Sequence, residues 1–295
     1  MDFLPLVFGD KPRIDAALAA DPPEISELTF TNLWAWRRKR ATAIARDGDG
    51  ALLILCEEHG RRFFLPPVGA TDAAATARRL LALARDAGFP FALQRAPTPL
   101  AAILRAAGYT AAPDRDNFDY VYAVRELAIL EGRHFDGKRN LIRRLTAAHA
   151  CVFAPLDDAA VAACLALEEA WCDLRTCQLD ENLAAEQEAI GACLRSHREL
   201  GLVGGVIRVD GVLKAFTTAE RLGPATAVVH FEKADPAIPG LYQLINHWFC
   251  REQLGAYAFV NREQDLGIPG LRRAKLGWRP HHLVEKHTVA APPPG

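Results

Sequence analysis

The sequence predicts an α+β protein built from two repeated units, each a mixed central sheet flanked by helices. Three observations lead there. Segments of helical periodicity alternate with short β-rich segments along the whole chain. One series of landmarks occurs twice. Leu65-Pro66-Pro67-Val68-Gly69, a helix, Phe89–Arg95, a short helix, Ala107-Gly108-Tyr109 and a strand make the first series. His230–Asp235, a helix, Ala256–Arg262, a short helix, Leu276-Gly277-Trp278 and a strand make the second. Leu65 to Gly108 spans 43 positions and His230 to Gly277 spans 47. Matching order with low identity indicates a duplicated unit of roughly 130 residues. Finally, 295 residues are comfortable for two domains.

In the first half, periodicity predicts helices at 11–20, 25–39, 72–88 and 97–107. Thr71-Asp72 caps the third, and Gly88 and Gly108 end the last two. Strands are expected at 42–46, 51–57, 61–65, 90–95 and 116–124, the last rich in aromatic and β-branched residues near its end. The second half opens with a basic amphipathic segment, His134–His149. Phe135, Leu141, Ile142 and Leu145 can face a core and leave Lys138, Arg139, Arg143 and Arg144 outside. A strand at 151–155 follows, then helices at 157–172 and 180–198. Strands are expected at 202–209, 212–220 and 225–232, the first two joined by a hairpin turn at Asp210-Gly211. A helix at 239–254, a strand at 256–261, a short helix at 268–276 and a strand at 281–289 complete the series. The expected division is 1–128, a degenerate first unit, 129–290, a second unit carrying the site, and a disordered tail at 291–295.

Counting excludes several chemistries. Half of the residues are hydrophobic and 24% are charged, a globular composition. Two serines, Ser26 and Ser196, neither within G-x-S-x-G, argue against a serine hydrolase. There is no P-loop motif. Seven scattered cysteines without C-x-x-C read as reduced thiols, with Cys164, Cys172 and Cys193 as small core residues. The histidines, His281, His282 and His287 included, lack metal spacing, so no metal is expected. The apolar run Ala51–Cys56 is far short of the ~20 residues that cross a bilayer. The amino-terminal stretch has no basic region ahead of its apolar residues, and a cytoplasmic location is expected. A net charge of -1 leaves any polyanion binding to local patches.

Helix, helix, three-strand meander, helix, strand, helix, strand is the element order of the GNAT acyltransferase fold, and two copies resemble the tandem-GNAT proteins. Residues 227–288 resemble the phosphatidylglycerol lysyltransferase C-terminal domain, the DUF2156 family. The strings that carry this are HFEKAD at 230–235, GLYQLINHWF at 240–249, NREQDLGIPGLRRAK at 261–275 and VEKH at 284–287. GKRNLIRRL at 137–145 also fits the family pattern. The full lysyltransferases carry in addition a multi-helix membrane domain. The resemblance therefore implies the catalytic fold and acyl or aminoacyl transfer, and leaves the substrate open.

In such a unit two parallel strands part, an acyl donor enters, and unpaired backbone N–H groups stabilise the oxyanion. By resemblance those strands are 225–232 and 256–261. Their ends carry Glu232-Lys233 and Asn261-Arg262-Glu263, charge arriving together as a polar site requires. Coenzyme A-dependent members hold the pyrophosphate on a glycine-rich loop. The corresponding loop here, 233–240, has Pro236 and Pro239, which donate no N–H. No tightly bound cofactor is expected. Aminoacyl-tRNA is the preferred donor, with acyl-CoA as the alternative donor and a non-catalytic ligand-binding protein as the alternative of a different class.

Glu263 and Asp265 are candidate bases for an acceptor amine or hydroxyl. Asp265 can instead cap the helix entered through Pro269, and Glu263 can pair with Arg262 or Arg272. Arg272 and Lys275, three apart, can grip phosphate or carboxylate or form a solvated face. Lys233 contacts the donor or neutralises Glu232. Asn261 orients substrate or caps a broken strand. His230, Trp34, Trp36, Trp171 and Trp248 read as structural. Residues 131–146 and 261–288 each carry a net +3. If Lys138, Arg139, Arg143 and Arg144 adjoin the second stretch in space, they form a footprint for tRNA. If they lie apart, both are ordinary solvated faces.

Overall fold

The computed structural model of the chain describes residues 2–89 and 92–290. The start of the strand expected at 90–95 and the tail expected at 291–295 fall outside the described residues. The first half contains β1 (Leu4–Pro5), α1 (Lys11–Ala20), α2 (Phe30–Ala35), β2 (Arg40–Arg46), β3 (Leu52–Glu58) and β4 (Arg61–Phe64). It continues with α3 (Ala73–Asp86), β5 (Leu93–Pro97), α4 (Thr98–Ala106), β6 (Ala111–Pro113), β7 (Asp119–Ala123) and α5 (Val124–Ile129). The second half contains α6 (Asp136–Ala148), β8 (Cys151–Pro155), α7 (Asp158–Arg175), α8 (Glu181–Arg195), α9 (His197–Leu200), β9 (Val203–Val209) and β10 (Val212–Arg221). It ends with β11 (Thr226–Ala234), α10 (Leu241–Glu252), β12 (Phe259–Asn261), α11 (Pro269–Leu276), β13 (His282–Val284) and β14 (Lys286–Val289).

The strands form two seven-stranded sheets, ordered β1-β2-β3-β4-β5-β14-β6 and β8-β9-β10-β11-β12-β7-β13. The orders repeat one pattern, with a parallel pair at β4–β5 in one sheet and β11–β12 in the other. The sixth place in each is filled by a strand from the opposite half of the sequence. β14 lies antiparallel between β5 and β6, and β7 lies antiparallel beside β12. The single strand expected at 281–289 is therefore two strands belonging to different sheets. Local β propensity cannot express that division, because sheet membership is decided by distant partners.

The compact units are discontinuous. One comprises residues up to Tyr120, Gln264–Ala274 and the described residues from Leu283; the other comprises Val121–Glu263 and Lys275–His282. The linear division expected between 128 and 129 takes no account of these exchanged segments.

In the first unit, Asp72 caps α3 by accepting from the Ala75 N–H at 2.8 Å. α3 buries Ala77, Leu80, Leu81 and Ala84 with Leu53, Phe64, Leu93 and Leu104. The helix expected at 25–39 is reduced to α2. The Ser26 N–H donates to Asp119 at 2.8 Å instead of entering a helical ladder, and Thr29 caps the shortened helix from Asn32. Trp34 and Trp36 are only half-buried, with Arg37 lying 3.9 Å from the Trp34 ring centroid.

In the second unit, Asp210 and Gly211 take φ values of 50° and 84°, the left-handed turn expected between β9 and β10. Leu145, Ile207, Ala215, Leu241, Leu244 and Ile245 form its core. The expectation that all cysteines are reduced is corrected at one pair. α7 ends at Thr176 in a left-handed conformation, and the returning chain brings Cys177 into a disulfide with Cys172. Cys164 and Cys193 are buried and outside any disulfide, as the helical pattern suggested.

Candidate active site

β11 and β12 pair in parallel through Thr226–Phe259, Ala227–Val260 and Val228–Asn261. β12 stops at Asn261 while β11 runs on to Ala234. The later part of β11 is thus left without a ladder to β12. On its other side the register with β10 shifts between Thr218 and Ala219, which pair with Phe231 and Val229. His230 is the extra residue of this bulge, a device that re-aims a side chain.

Several charged side chains gather where the strands part. The Arg262 guanidinium donates to Glu232 at 2.9 Å, and the Asn246 amide of α10 lies between these groups. Arg262 also lies 5.7 Å from the ring centroids of both Tyr122 and Trp278. Buried Asn261 turns the chain after β12 by accepting from the Glu263 N–H at 2.8 Å. Glu263 follows with φ 56°, a left-handed conformation uncommon outside glycine. Lys275 donates to the carbonyls of Arg262 and Glu263. The Glu263 carboxylate meets His230 Nδ1 at 2.9 Å, and Glu220 meets His230 Nε2 at 2.8 Å. Burial opposes charge on His230, but its hydrogen bonds to Glu220 and Glu263 and their negative charge outweigh it and raise the imidazole to about 9.

Lys233 faces a different cluster from the one expected. Its ammonium donates to Glu186 on α8 at 2.9 Å, lies 3.7 Å from Glu168 on α7 and 3.5 Å from the Trp171 ring centroid. Glu232 is therefore neutralised by Arg262, not by Lys233. Glu168 is buried with one oxygen lacking a hydrogen bond, and burial pushes its carboxyl up to about 7 against the pull of Lys233.

Three backbone donors between β11 and α10 are turned inward. The Ala237 N–H is taken by the Asp235 side chain at 2.9 Å, the Ile238 N–H by the Asp235 carbonyl at 3.2 Å and the Leu241 N–H by the Ile238 carbonyl at 3.3 Å. Pro236 and Pro239 have none to offer. At the helix start, Gly240 takes φ 93°, and the Leu141 carbonyl oxygen of α6 lies 2.8 Å from where a Cβ would stand. The α6 backbone thus packs directly against this end of α10.

Within the second unit the basic α6 adjoins the Lys275–His282 part of the other basic stretch. Lys138 of α6 donates to the Gly277 carbonyl and lies 4.7 Å from the Trp278 ring centroid. Burial, then the nearby charge of Arg279, holds its ammonium below the usual lysine range. Arg139 turns back to Asp136 and to the Leu130 and Gly132 carbonyls, while Arg143 and Arg144 are exposed.

Asp265 and Arg272 belong to the first unit, where they form a closed hub. Fully buried Asp265 accepts from Arg272 in a bidentate pair at 2.8 Å, from the Tyr120 hydroxyl at 2.5 Å, from Arg115 at 3.2 Å and from the Gly267 N–H at 2.9 Å. Burial alone would raise this carboxyl, but these donors hold it far below the usual carboxylate range. Such a group has little affinity for a proton. Arg272 is spoken for as well, since it also pairs with Asp116 at 2.7 Å.

Sequence reasoning named Glu263 and the strand ends but not the side chains that meet them. His230 lay in a string already singled out and was read as structural. Glu220, Glu168 and Glu186 carried no motif at all. Only pairing across β10 and packing of α7 and α8 bring them to the strand ends.

A family model described as phosphatidylglycerol lysyltransferase, C-terminal, matches residues 22–290. A conserved protein of unknown function from Bacteroides thetaiotaomicron is similar at 31% identity and a TM-score of 0.92, over 99% of this chain and 100% of that one. The DUF2156 C-terminal domain of a protein assigned as a lysylphosphatidylglycerol synthetase from Agrobacterium fabrum shares the fold. It has 14% identity and a TM-score of 0.69, over 96% of this chain and 92% of its own. A tandem GNAT protein from the clavulanic acid biosynthesis pathway also shares it, with 14% identity and a TM-score of 0.52 over 100% and 99% of the two chains. The two-unit, GNAT-like α+β fold is thereby shown. Among curated proteins none matches the chain. No helix among the described residues is long and apolar enough to cross a membrane.

Proposed function

The chain belongs to the phosphatidylglycerol lysyltransferase C-terminal (DUF2156) family, and on that premise we propose that it transfers an aminoacyl group from aminoacyl-tRNA to an amine or hydroxyl acceptor. The observation that carries the choice of donor is the loop from Asp235 to Gly240. Its prolines lack N–H groups, and the N–H groups of Ala237 and Ile238 are already engaged. A pyrophosphate nest needs such groups unpaired and convergent. An aminoacyl ester needs no nest. The adjoining Lys138 and Arg279 supply positive charge beside Trp278, which suits a nucleic-acid backbone next to a base-stacking ring.

In this reading the acceptor nitrogen or oxygen attacks the ester carbonyl carbon. Glu263 takes the acceptor's proton, the ester C–O bond breaks, and the terminal ribose hydroxyl of the tRNA leaves with a proton. Backbone N–H groups of β11 beyond Val228 face the developing oxyanion. Arg262, Asn261 and Lys275 shape the floor around Glu263, and Lys138 and Arg139 meet the tRNA. Glu232 and Lys233 hold the end of β11 through their own ion pairs. The reading implies a cytoplasmic location, where charged tRNA is found.

The test is transfer of radiolabelled amino acids from bulk charged tRNA to small amines, hydroxyl compounds and lipid extract. Label should move to an acceptor with the wild-type protein and not with Glu263→Gln. Transfer of an acetyl group from acetyl-CoA, with none from charged tRNA, would overturn the donor.

A further inference from the structure

The ring of His230 is buried, with its side chain 2% exposed, yet both of its nitrogens meet carboxylates. A neutral imidazole has a single N–H, and an ionised carboxylate can only accept. With both carboxylates ionised, contacts of 2.9 Å to Glu263 and 2.8 Å to Glu220 require two N–H groups. In that state His230 is an imidazolium between two anions. Its placement is built rather than incidental. His230 is the bulged residue of β11, Glu220 comes from β10, and Glu263 stands in a left-handed conformation after β12 ends. Strained backbone of this kind concentrates at functional positions.

We propose that His230 and Glu220 are positioning residues that act through Glu263, the charged ring fixing the Glu263 carboxylate at the point where β11 and β12 part. The proposal rests on Glu263 being the base in the reading above. A base acts fastest when its orientation is set before the acceptor arrives. His230 supplies that orientation through Nδ1, and Glu220 keeps the ring charged and oriented through Nε2. The groups that meet the ring are Glu220 from β10 and Glu263 after β12, and the Lys275 ammonium of α11 lies 3.3 Å from the Glu263 carbonyl. The hydrogen bonds keep the ring protonated to about 9 despite burial, so the arrangement is intact at neutral pH. Above that value the ring loses a proton and one carboxylate loses its donor.

The test is a nitrogen NMR titration of histidine-labelled full-length protein, with His230→Gln identifying the signal. Both ring nitrogens of His230 should stay protonated through neutral pH. The midpoint should fall by about one unit or more in Glu220→Gln and in Glu263→Gln, since each removes an anion beside the ring. A midpoint near the ordinary 6.5, or one unmoved by Glu263→Gln, would overturn the proposal. With bulk charged tRNA as donor, Glu220→Gln should lower kcat about tenfold with KM nearly constant. Its alkaline limb should move down with the NMR midpoint. An unchanged kcat and limb would also overturn it. If the wild-type protein transfers nothing from charged tRNA, the donor reading fails separately. The titration still decides the triad, coupling of the three side chains supporting it and independent titration overturning it.

Discussion

Each unit contains a parallel strand pair and a cluster of buried charge, and the clusters are used differently. In the first unit Lys286 donates to Glu27 at 2.6 Å and to Asp119 at 2.7 Å, and all three side chains are at most 1% exposed. Arg95 extends the network from Glu27 to Asp114. Burial would raise Glu27, yet Lys286 and Arg95 lower it to about 2. In the second unit the two carboxylates on buried His230 still reach solvent, Glu220 at 12% and Glu263 at 15%. A cation between two fully buried carboxylates specifies structure. One whose carboxylates reach solvent leaves a group open to chemistry. The difference fits the proposed use of the second unit, and the strand ends of the first, Leu65–Gly69 and Phe89–Arg95, carry little charge.

The comparison breaks most visibly if the buried cation is removed. Lys286→Met takes the shared ammonium from buried Glu27 and Asp119, leaving Arg95 on Glu27 and Ser26 on Asp119, and should cost about 3–5 kcal/mol of stability in urea unfolding. A loss below about 1 kcal/mol would mean that the first unit does not depend on its buried charge. The cluster at His230 should respond in activity instead. Glu263→Gln should reduce transfer by about a hundredfold or more, the usual contribution of a general base, with a smaller change in stability.

How far this contrast was legible in the sequence depends on which contacts are local. The Asp210-Gly211 hairpin and the cap at Asp72 follow from neighbours in the chain, and they were readable. The parallel pair at β11 and β12 was expected from the family resemblance, and Glu263 was named because it stands at a strand end within a family string. The exchange of β7 and β14 was not, because a strand's partner is chosen by register with residues more than a hundred positions away. The Cys172–Cys177 bond was hidden for a related reason: a left-handed turn at Thr176, which propensity does not foresee, brings the thiols together. Asp265 shows the limit for function. Its sequence neighbours suggest a base, while its donors, Tyr120 and Arg115 among them, make it the anchor of a hub.

Smaller effects sharpen the contrast. Lys138→Glu combined with Arg279→Glu should weaken any tRNA response and flatten its salt dependence, each lost phosphate contact lowering the slope by about one. A single-salt shift with unchanged slope would place tRNA elsewhere. pH separates the clusters further. His230 has a folded pKa raised from 6.5 to about 9, so its contribution to stability is complete below 6.5 and is lost as pH rises through 9. Thermal unfolding of His230→Gln should lack that alkaline decline. Glu168 is raised from 4.5 to about 7, so its burial costs stability as pH rises across that interval. Glu168→Gln should remove this slope, visible as a gain at pH 8 relative to pH 5 in the same unfolding series. An unchanged slope would show that Lys233 fully compensates the buried carboxylate.

The donor is the central claim, and thermal shift of the purified protein against bulk tRNA and acetyl-CoA, each at low and high salt, tests it most directly. Stabilisation by tRNA that fades with salt, with none from acetyl-CoA, is the predicted result. Stabilisation by acetyl-CoA alone would contradict it and make the Asp235–Gly240 loop a pyrophosphate site despite Pro236 and Pro239.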